Sequence, residues 1–259
     1  MTAKDLRVAA ISRRDADSLM RNLHYSHKVV MNSQLHLGVF LGTRLEGAMQ
    51  FGPSLDRRKL MTLVAGTKWN GFLELNRLAF SENLPRNSES RALGVALRLI
   101  RRQYPQVEWI VSFADATQCG DGTIYRAAGF VLTRIKRNTT LWADAAGTVI
   151  SNVGVRTSMK AIQSVARQTA YKGGADMDHF KNLGFRPLDG FQLRYIYFTN
   201  PGARHRLTVP IVPFAEIRRV GASMYRGVGS IPAETAVLHT EEGGSTPTPT
   251  LQSAEERFA

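Results

Sequence analysis

Cysteine is nearly absent. Cys119 is the sole cysteine among 259 residues, which excludes an internal disulfide and any cysteine-built zinc module. Its polar, glycine-containing surroundings read as a turn that needs a small residue, not as the setting of a nucleophile. No run approaches the roughly 18 apolar residues of a membrane span. The N-terminal MTAKDLRVAAISRRD lacks the apolar core of a signal peptide, so the chain is expected to stay in the cytoplasm of the cell that makes it. Negative charge is also scarce: 21 Asp and Glu face 34 Lys and Arg, giving +13 and a pI near 10.4. A surface of that sign takes polyanions as partners more readily than anything else. Five glutamates and one arginine fall in residues 232–259, so the body of the protein is more basic than the whole.

What is present is the composition of a soluble globular protein, 43% hydrophobic and long enough for one main core with appendages. LRVAAIS (6–12) alternates like a short strand, and Ser12 with Asp15 three residues on predicts a helix start. LHLGVFLGT (35–43) and RLEGAMQFGPSL (44–55) predict two strands meeting at Gly42-Thr43-Arg44. FLELNRLAFS (72–81) predicts another, whose broken alternation implies a bulge near Asn76. A helix capped by Asn87 or Ser88 should run to about Gln103 and stop at Pro105. VEWIVSFAD (107–115) reads as a strand buried on both faces for most of its length. A short helix over 121–128, a strand over FVLTRIKRNTTLWAD and a final strand FQLRYIYF (191–198) follow.

These patterns predict a core over 1–144, a helical insertion over 145–190, C-terminal strands completing the core over 191–227, and a disordered tail over 228–259. The insertion holds a helix around 157–168, Gly-rich breaks and the basic residues Arg156, Lys160, Arg167 and Lys172, a set suited to nucleic acid.

The element order, with YRAAGF (125–130) after a buried strand, resembles the GNAT superfamily of N-acetyltransferases. The words HYSHKVVMNSQLHLGVFL, GAMQFGPSLD, FLELNRLAFSENLPRNSESRALG and SFADATQCGDGTIYRAAGFV resemble the phage Mom family. That resemblance covers residues 6–143 strongly and 190–226 loosely. It implies an α/β (α+β) GNAT-like acyltransferase fold, a central mixed sheet with splayed strands flanked by helices. It also implies a transferase that converts the N6 amine of adenine in double-stranded DNA to an N6-carbamoylmethyl group, protecting phage DNA from restriction in the host cytoplasm.

The resemblance places catalytic function on His24, Tyr25, Ser90, Asp115 and Tyr125. In such a fold Asp115 emerges at the open end of a splayed strand, as general base, metal ligand or acceptor for an adenine amino group. It could equally bond only the turn at Thr117 to Gly120. Tyr125 stands as proton donor to a leaving group, or as a half-buried helix aromatic. His24 is either a helix-end residue facing the dipole or, with Tyr25 and Asp115, part of a site for a divalent metal such as iron. Glu74, Asn76, Arg77 and Arg91 are the substrate-binding candidates. Against these stand an ion pair for Glu74 and Arg77, and a solvated helix face for Arg91, Arg98 and Arg102.

The turn at 86–91 has no glycine and carries Glu89, where acetyl-coenzyme A enzymes place glycine amides around a pyrophosphate. Acyl-coenzyme A as donor is therefore doubtful, and glycyl-tRNA is the candidate, since N6-glycyl and N6-carbamoylmethyl groups are isomers. Reaching N6 in a duplex requires the base to be extruded; Trp69, Trp142 and Tyr171 are the candidate stacking aromatics. Two other readings remain: a basic DNA-binding protein without chemistry on the same scaffold, and an ordinary N-acyltransferase. A homodimer is compatible with all three readings.

Overall fold

The computed structural model describes residues 2–147, 149–151, 181–182 and 184–229. The chain enters through strand β1 (Leu6–Ala10) and helix α1 (Arg13–Leu23), then forms the hairpin β2 (Leu35–Leu41) and β3 (Arg44–Gly52). A short helix α2 (Arg57–Met61) leads to β4 (Phe72–Phe80), α3 (Ser88–Gln103), β5 (Trp109–Ala116), α4 (Thr123–Ala127) and β6 (Val131–Arg137). Three short strands, β7 (Leu141–Ala143), β8 (Val149–Ser151) and β9 (Arg186–Pro187), make a small sheet of their own. The last long strand, β10 (Phe191–Phe198), returns to the main sheet, whose order is β1-β2-β3-β4-β5-β10-β6. This is the α+β architecture implied by the resemblance, and β10 completes it from inside, hydrogen-bonded between β5 and β6.

Local chemistry accounts for the elements. Ser12 Oγ accepts the Asp15 N–H at 3.1 Å and lies 2.7 Å from its carboxylate, starting α1 as its Ser-x-x-Asp pattern predicts. Ala16 and Met20 of that helix pack on Ala48 and Ala79. Helix α3 buries Leu93, Ala96, Leu97 and Ile100 against Leu37, Met49 and Phe51 on the other face of the sheet. Trp109 and Val111 of β5 belong to a third cluster with Leu60, Leu63, Val64 and Ala203.

Strands β4 and β5 are the parallel neighbours, and they pair only from Phe72–Trp109 to Glu74–Val111. Beyond Glu74 they part. The register between β3 and β4 matches Gln50 with Arg77 but Phe51 with Leu75, so Asn76 is the extra residue of a bulge, as the broken period of LELNRL predicts. Asn76 Oδ1 accepts the Ser33 hydroxyl at 3.1 Å, tying the bulge to the loop after α1. The strand that starts at Phe72 is thus bent away from β5 where β5 approaches Asp115.

Two expectations are corrected. Residues 130–144 are not one strand: Asn138 Oδ1 accepts the N–H groups of Thr140 and Leu141, both at 3.0 Å, and this side-chain turn separates β6 from β7. Within the insertion β8 and β9 are strands. The helix around 157–168, the basic residues Arg156, Lys160, Arg167 and Lys172, Tyr171, and all but the first residues of the tail lie outside the described residues. Among the described residues no helix is long and apolar enough to cross a membrane.

Candidate active site

Helix α1 ends on His24, whose N–H donates to the Met20 carbonyl at 3.2 Å while its own backbone turns extended, with ψ 135°. That turn sends Tyr25 across to the end of β5. The Tyr25 hydroxyl donates to Asp115 Oδ2 at 3.0 Å, and the Thr117 N–H donates to Asp115 Oδ1 at 3.0 Å. The Asp115 carbonyl accepts the N–H groups of Cys119 and Gly120. The turn-fixing reading of Asp115 is therefore seen on Oδ1, while Oδ2 takes the Tyr25 hydroxyl at the end of β5. A carboxylate has about four acceptor positions, so capacity remains for a further donor.

The His24 ring lies over Tyr25 with centroids 4.3 Å apart. Its Nδ1 accepts the Ser26 N–H at 3.1 Å and meets the Ser26 hydroxyl at 2.9 Å. The single ring proton is thereby assigned to Nε2. Burial, reinforced by the charges of Arg77 and His27, lowers its pKa to about 3, so the ring is neutral at physiological pH and does not serve as a charged helix-end residue. His27, at φ 51°, turns away and donates from Nδ1 to the Arg21 carbonyl at 2.8 Å. Although 41% of Tyr25 is exposed, its hydroxyl end is sheltered; that shelter and the Asp115 charge push the phenol pKa up. Tyr25 stays a protonated donor.

Arg77 stands at the centre. Its Nη1 donates to the Asn76 carbonyl at 2.8 Å, and its Nε is buried with no partner. Its charge acts on His24, Tyr25, Glu74 and Tyr125. Glu74 is the last residue paired across the splay; burial raises its carboxyl pKa, opposed by hydrogen bonds from Ser54 and Asn76 and by Arg77. The pleat puts Tyr125's neighbour Ser112 on the α3 face and Asp115 on the other. Ser112 Oγ donates to the Leu75 carbonyl at 3.4 Å, bridging the strands where their backbones no longer pair. Tyr125 is buried, not half-buried, between Phe130 and Tyr195 at centroid distances of 5.4 and 5.3 Å. Burial raises its phenol pKa, with the Ser112 hydroxyl acting in the opposite sense.

Of the predicted residues, His24, Tyr25, Glu74, Asn76, Arg77, Asp115 and Tyr125 thus gather at one opening. Ser90 and Arg91 do not: with Lys4, Gly94 and Arg98 they line a separate groove of about 500 Å³ between α3 and α4. Trp142 is buried and offers no face for stacking, whereas Trp69 is exposed beneath the Arg57 guanidinium, 4.7 Å from the ring centre. Cys119 lies near the opening, but burial and Asp115 push its thiol pKa up, which keeps it a thiol rather than a thiolate. The residues sequence reasoning passed over are Ser112 and Phe113: Ser112 is a polar residue in the interior of the strand, and Phe113 lies two positions before Asp115 on the same face.

Of the metal candidates His24, Tyr25 and Asp115, the His24 ring spends Nδ1 on Ser26 and the Tyr25 hydroxyl is bonded to Asp115; among the described residues there is no group of three or more His, Cys, Asp or Glu side chains that could hold an ion.

The arrangement is that of an open parallel pair with an acid and a phenol on one face and a buried phenol on the other, suited to group transfer between two ligands that meet in the gap. Comparison with known proteins agrees with the sequence words. The chain is 37% identical over 210 residues to the methylcarbamoylase Mom of Escherichia phage Mu, covering 81% of this chain and 82% of that protein. Among solved structures, a tandem GNAT protein from the clavulanic acid biosynthesis pathway gives a TM-score of 0.46 at 9% identity, over 76% of this chain and 99% of its own. The spermidine/spermine N-acetyltransferase of Vibrio cholerae gives 0.42 at 10%, over 78% and 98%. The model of the Mom protein family matches residues 5–216, a span that takes in every strand of the main sheet and the whole opening around Asp115, and the chain belongs to that family.

Proposed function

We propose that this protein is a DNA-modifying transferase that acts on the N6 amine of adenine and leaves N6-carbamoylmethyl-adenine. The observation that carries the reading is the Tyr25–Asp115 pair poised at the open end of a splayed strand pair, with Tyr125 behind it on the opposite face. Membership of a family that includes a phage methylcarbamoylase supports it. So does the net charge of +13, which suits a polyanionic substrate and, in the host cytoplasm, a second nucleic acid as donor.

The donor in this reading is glycyl-tRNA. The adenine amine attacks the glycyl carbonyl, forming a C–N bond and breaking the ester C–O bond. The amine's proton passes to the site, with Asp115 as acceptor, and the departing tRNA oxygen takes a proton from Tyr125. Arg77, whose positive charge acts on Tyr25, Glu74 and Tyr125, stabilises the oxyanion between these steps. The product carries an N6-glycyl group. Attack of its free amine on the purine C6, with departure of the original nitrogen as an amide, gives the carbamoylmethyl isomer without any further reagent. The neutral His24 ring and the protonated Tyr25 hold Asp115 in place and exclude competing charge.

The test is mass spectrometry of nucleosides from DNA of cells expressing the protein. A deoxyadenosine adduct about 57 mass units heavier is expected, and its absence under good expression overturns the reading in favour of a binding protein or another N-acyltransferase. Transfer of labelled glycine from charged tRNA to DNA tests the donor separately.

A further inference from the structure

Phe113 is the one exposed residue of β5. It lies in the interior of a seven-stranded sheet with β4 on one side and β10 on the other, a position that normally buries an aromatic ring. Its exposure, 41%, has a structural origin. On the face away from α3 the sheet is covered in two separate pieces. Helix α1 covers β3 and β4 through Ala16 and Met20. Helix α2 and the turn at Pro201–Arg206 cover the start of β5 through Leu60, Leu63 and Ala203 on Trp109 and Val111. Phe113 belongs to neither cluster. Its ring is left exposed on this face, with Asp115, which accepts the Tyr25 hydroxyl, two residues further along the same face.

We propose that Phe113 is the stacking platform for a purine base extruded from DNA, whose exocyclic amine then reaches Asp115. This rests on the adenine-modifying reading above. Two residues along a strand span about 6.6 Å, within reach of the amine of a base lying flat on the Phe113 ring. Asp115 keeps acceptor capacity beyond Tyr25 and Thr117. An enzyme acting on a base must first take it from the helical stack, and a planar aromatic surface returns part of that lost stacking. The neighbouring charge has the right sign for a polynucleotide: Arg77 with its unpartnered Nε, and Arg194, directly opposite Phe113 in β10 and held by Thr133 at 2.9 Å. Of the candidates drawn from sequence, Trp142 is buried and Trp69 lies under the Arg57 guanidinium.

The experiment compares affinities of the full chain for three duplexes that differ at one position: a paired adenine, an adenine opposite an abasic site, and an abasic site in place of the adenine. The unpaired adenine should bind tightest. Phe113→Leu, which keeps bulk and removes the aromatic face, should lose about ten- to hundredfold in affinity for the unpaired adenine, leave binding of the base-less duplex unchanged, and keep its thermal midpoint. Phe113→Trp should restore the preference. Retention of the preference by Phe113→Leu overturns the platform even if the adenine adduct forms. A change of oligomeric state in Phe113→Leu with the preference intact assigns the ring to a protein interface and overturns it equally. If the preference depends on Phe113 while no adduct forms with the native chain, the platform stands and the assigned chemistry fails.

Discussion

Two tyrosines meet the splay from opposite faces, and they are held in opposite ways. Tyr125 is part of the core, wedged between Phe130 and Tyr195 with 8% of its surface exposed. Tyr25 stands at a rim, 41% exposed, positioned by a turn and by one hydrogen bond to Asp115. In both, burial of the hydroxyl raises the phenol pKa. The same chemical state, a protonated phenol, is thus held once inside the core and once at a rim, where the Asp115 charge adds to burial of the hydroxyl. The buried face should therefore couple function to stability, and the open face should separate them.

The largest effect should come from Asp115→Ala, which removes the acceptor shared by Tyr25 and Thr117. Loss of a positioned acid–base group typically lowers the rate by about 10²- to 10⁴-fold, whereas the missing hydrogen bonds cost roughly 1–3 kcal/mol. Adduct yield should fall near background while the thermal midpoint drops by only a few degrees. An unfolded variant, or an active one, would break the comparison on the open face.

Tyr125 should behave differently with each replacement. Tyr125→Ala removes a core aromatic, a change that costs about 3–5 kcal/mol, so unfolding by denaturant should show the loss before any assay does. Tyr125→Phe keeps the ring contacts with Phe130 and Tyr195. It should fold normally and lose about 10²-fold in transfer rate if the hydroxyl protonates the leaving oxygen. Normal activity in Tyr125→Phe would leave the residue a packing element.

How much of this was legible in the sequence follows the same division. The bulge at Asn76, the Ser12 helix start and the strand over 191–198 were readable because each rests on near neighbours: a broken alternation, a cap, an uninterrupted apolar run. The gathering of His24, Tyr25, Glu74, Arg77, Asp115 and Tyr125 was readable only through resemblance, since 90 residues separate Tyr25 from Asp115 along the chain. The exposure of Phe113 was not readable at all. The ring belongs to neither of the clusters that cover this face, and no local pattern encodes where a distant cover ends. Ser90 and Arg91 illustrate the converse, carried to the site by resemblance but placed by the fold on the α3–α4 groove.

His24 tests the open face by pH. Its folded pKa, about 3, lies below the ordinary value of 6.5 because burial disfavours the cation. The native state therefore binds fewer protons than the unfolded chain between those values. Stability from this group is fully present above about pH 6.5 and is lost as pH falls toward 3, by a total on the order of a few kcal/mol. In His24→Asn, which can still accept the Ser26 N–H, the decline in thermal midpoint between pH 7 and pH 4 should be shallower than in the native chain. Parallel declines would remove His24 as their source.

The smallest effect, and the most discriminating, should come from Tyr25→Phe. The substitution deletes one hydroxyl at a rim, so the net stability change should be about 0.5–1.5 kcal/mol. Asp115 keeps its bond from Thr117 but loses the donor that fixes its outer oxygen. Two consequences should appear together: a rate loss of about tenfold from the freed carboxylate, and a thermal midpoint close to that of the native chain. A residue that merely packed at the rim would leave the rate unchanged. In Tyr125→Phe the Asp115 carboxylate keeps its Tyr25 bond, because the Tyr125 hydroxyl lies on the other face of the sheet, so the two losses should arise independently and multiply in the double variant.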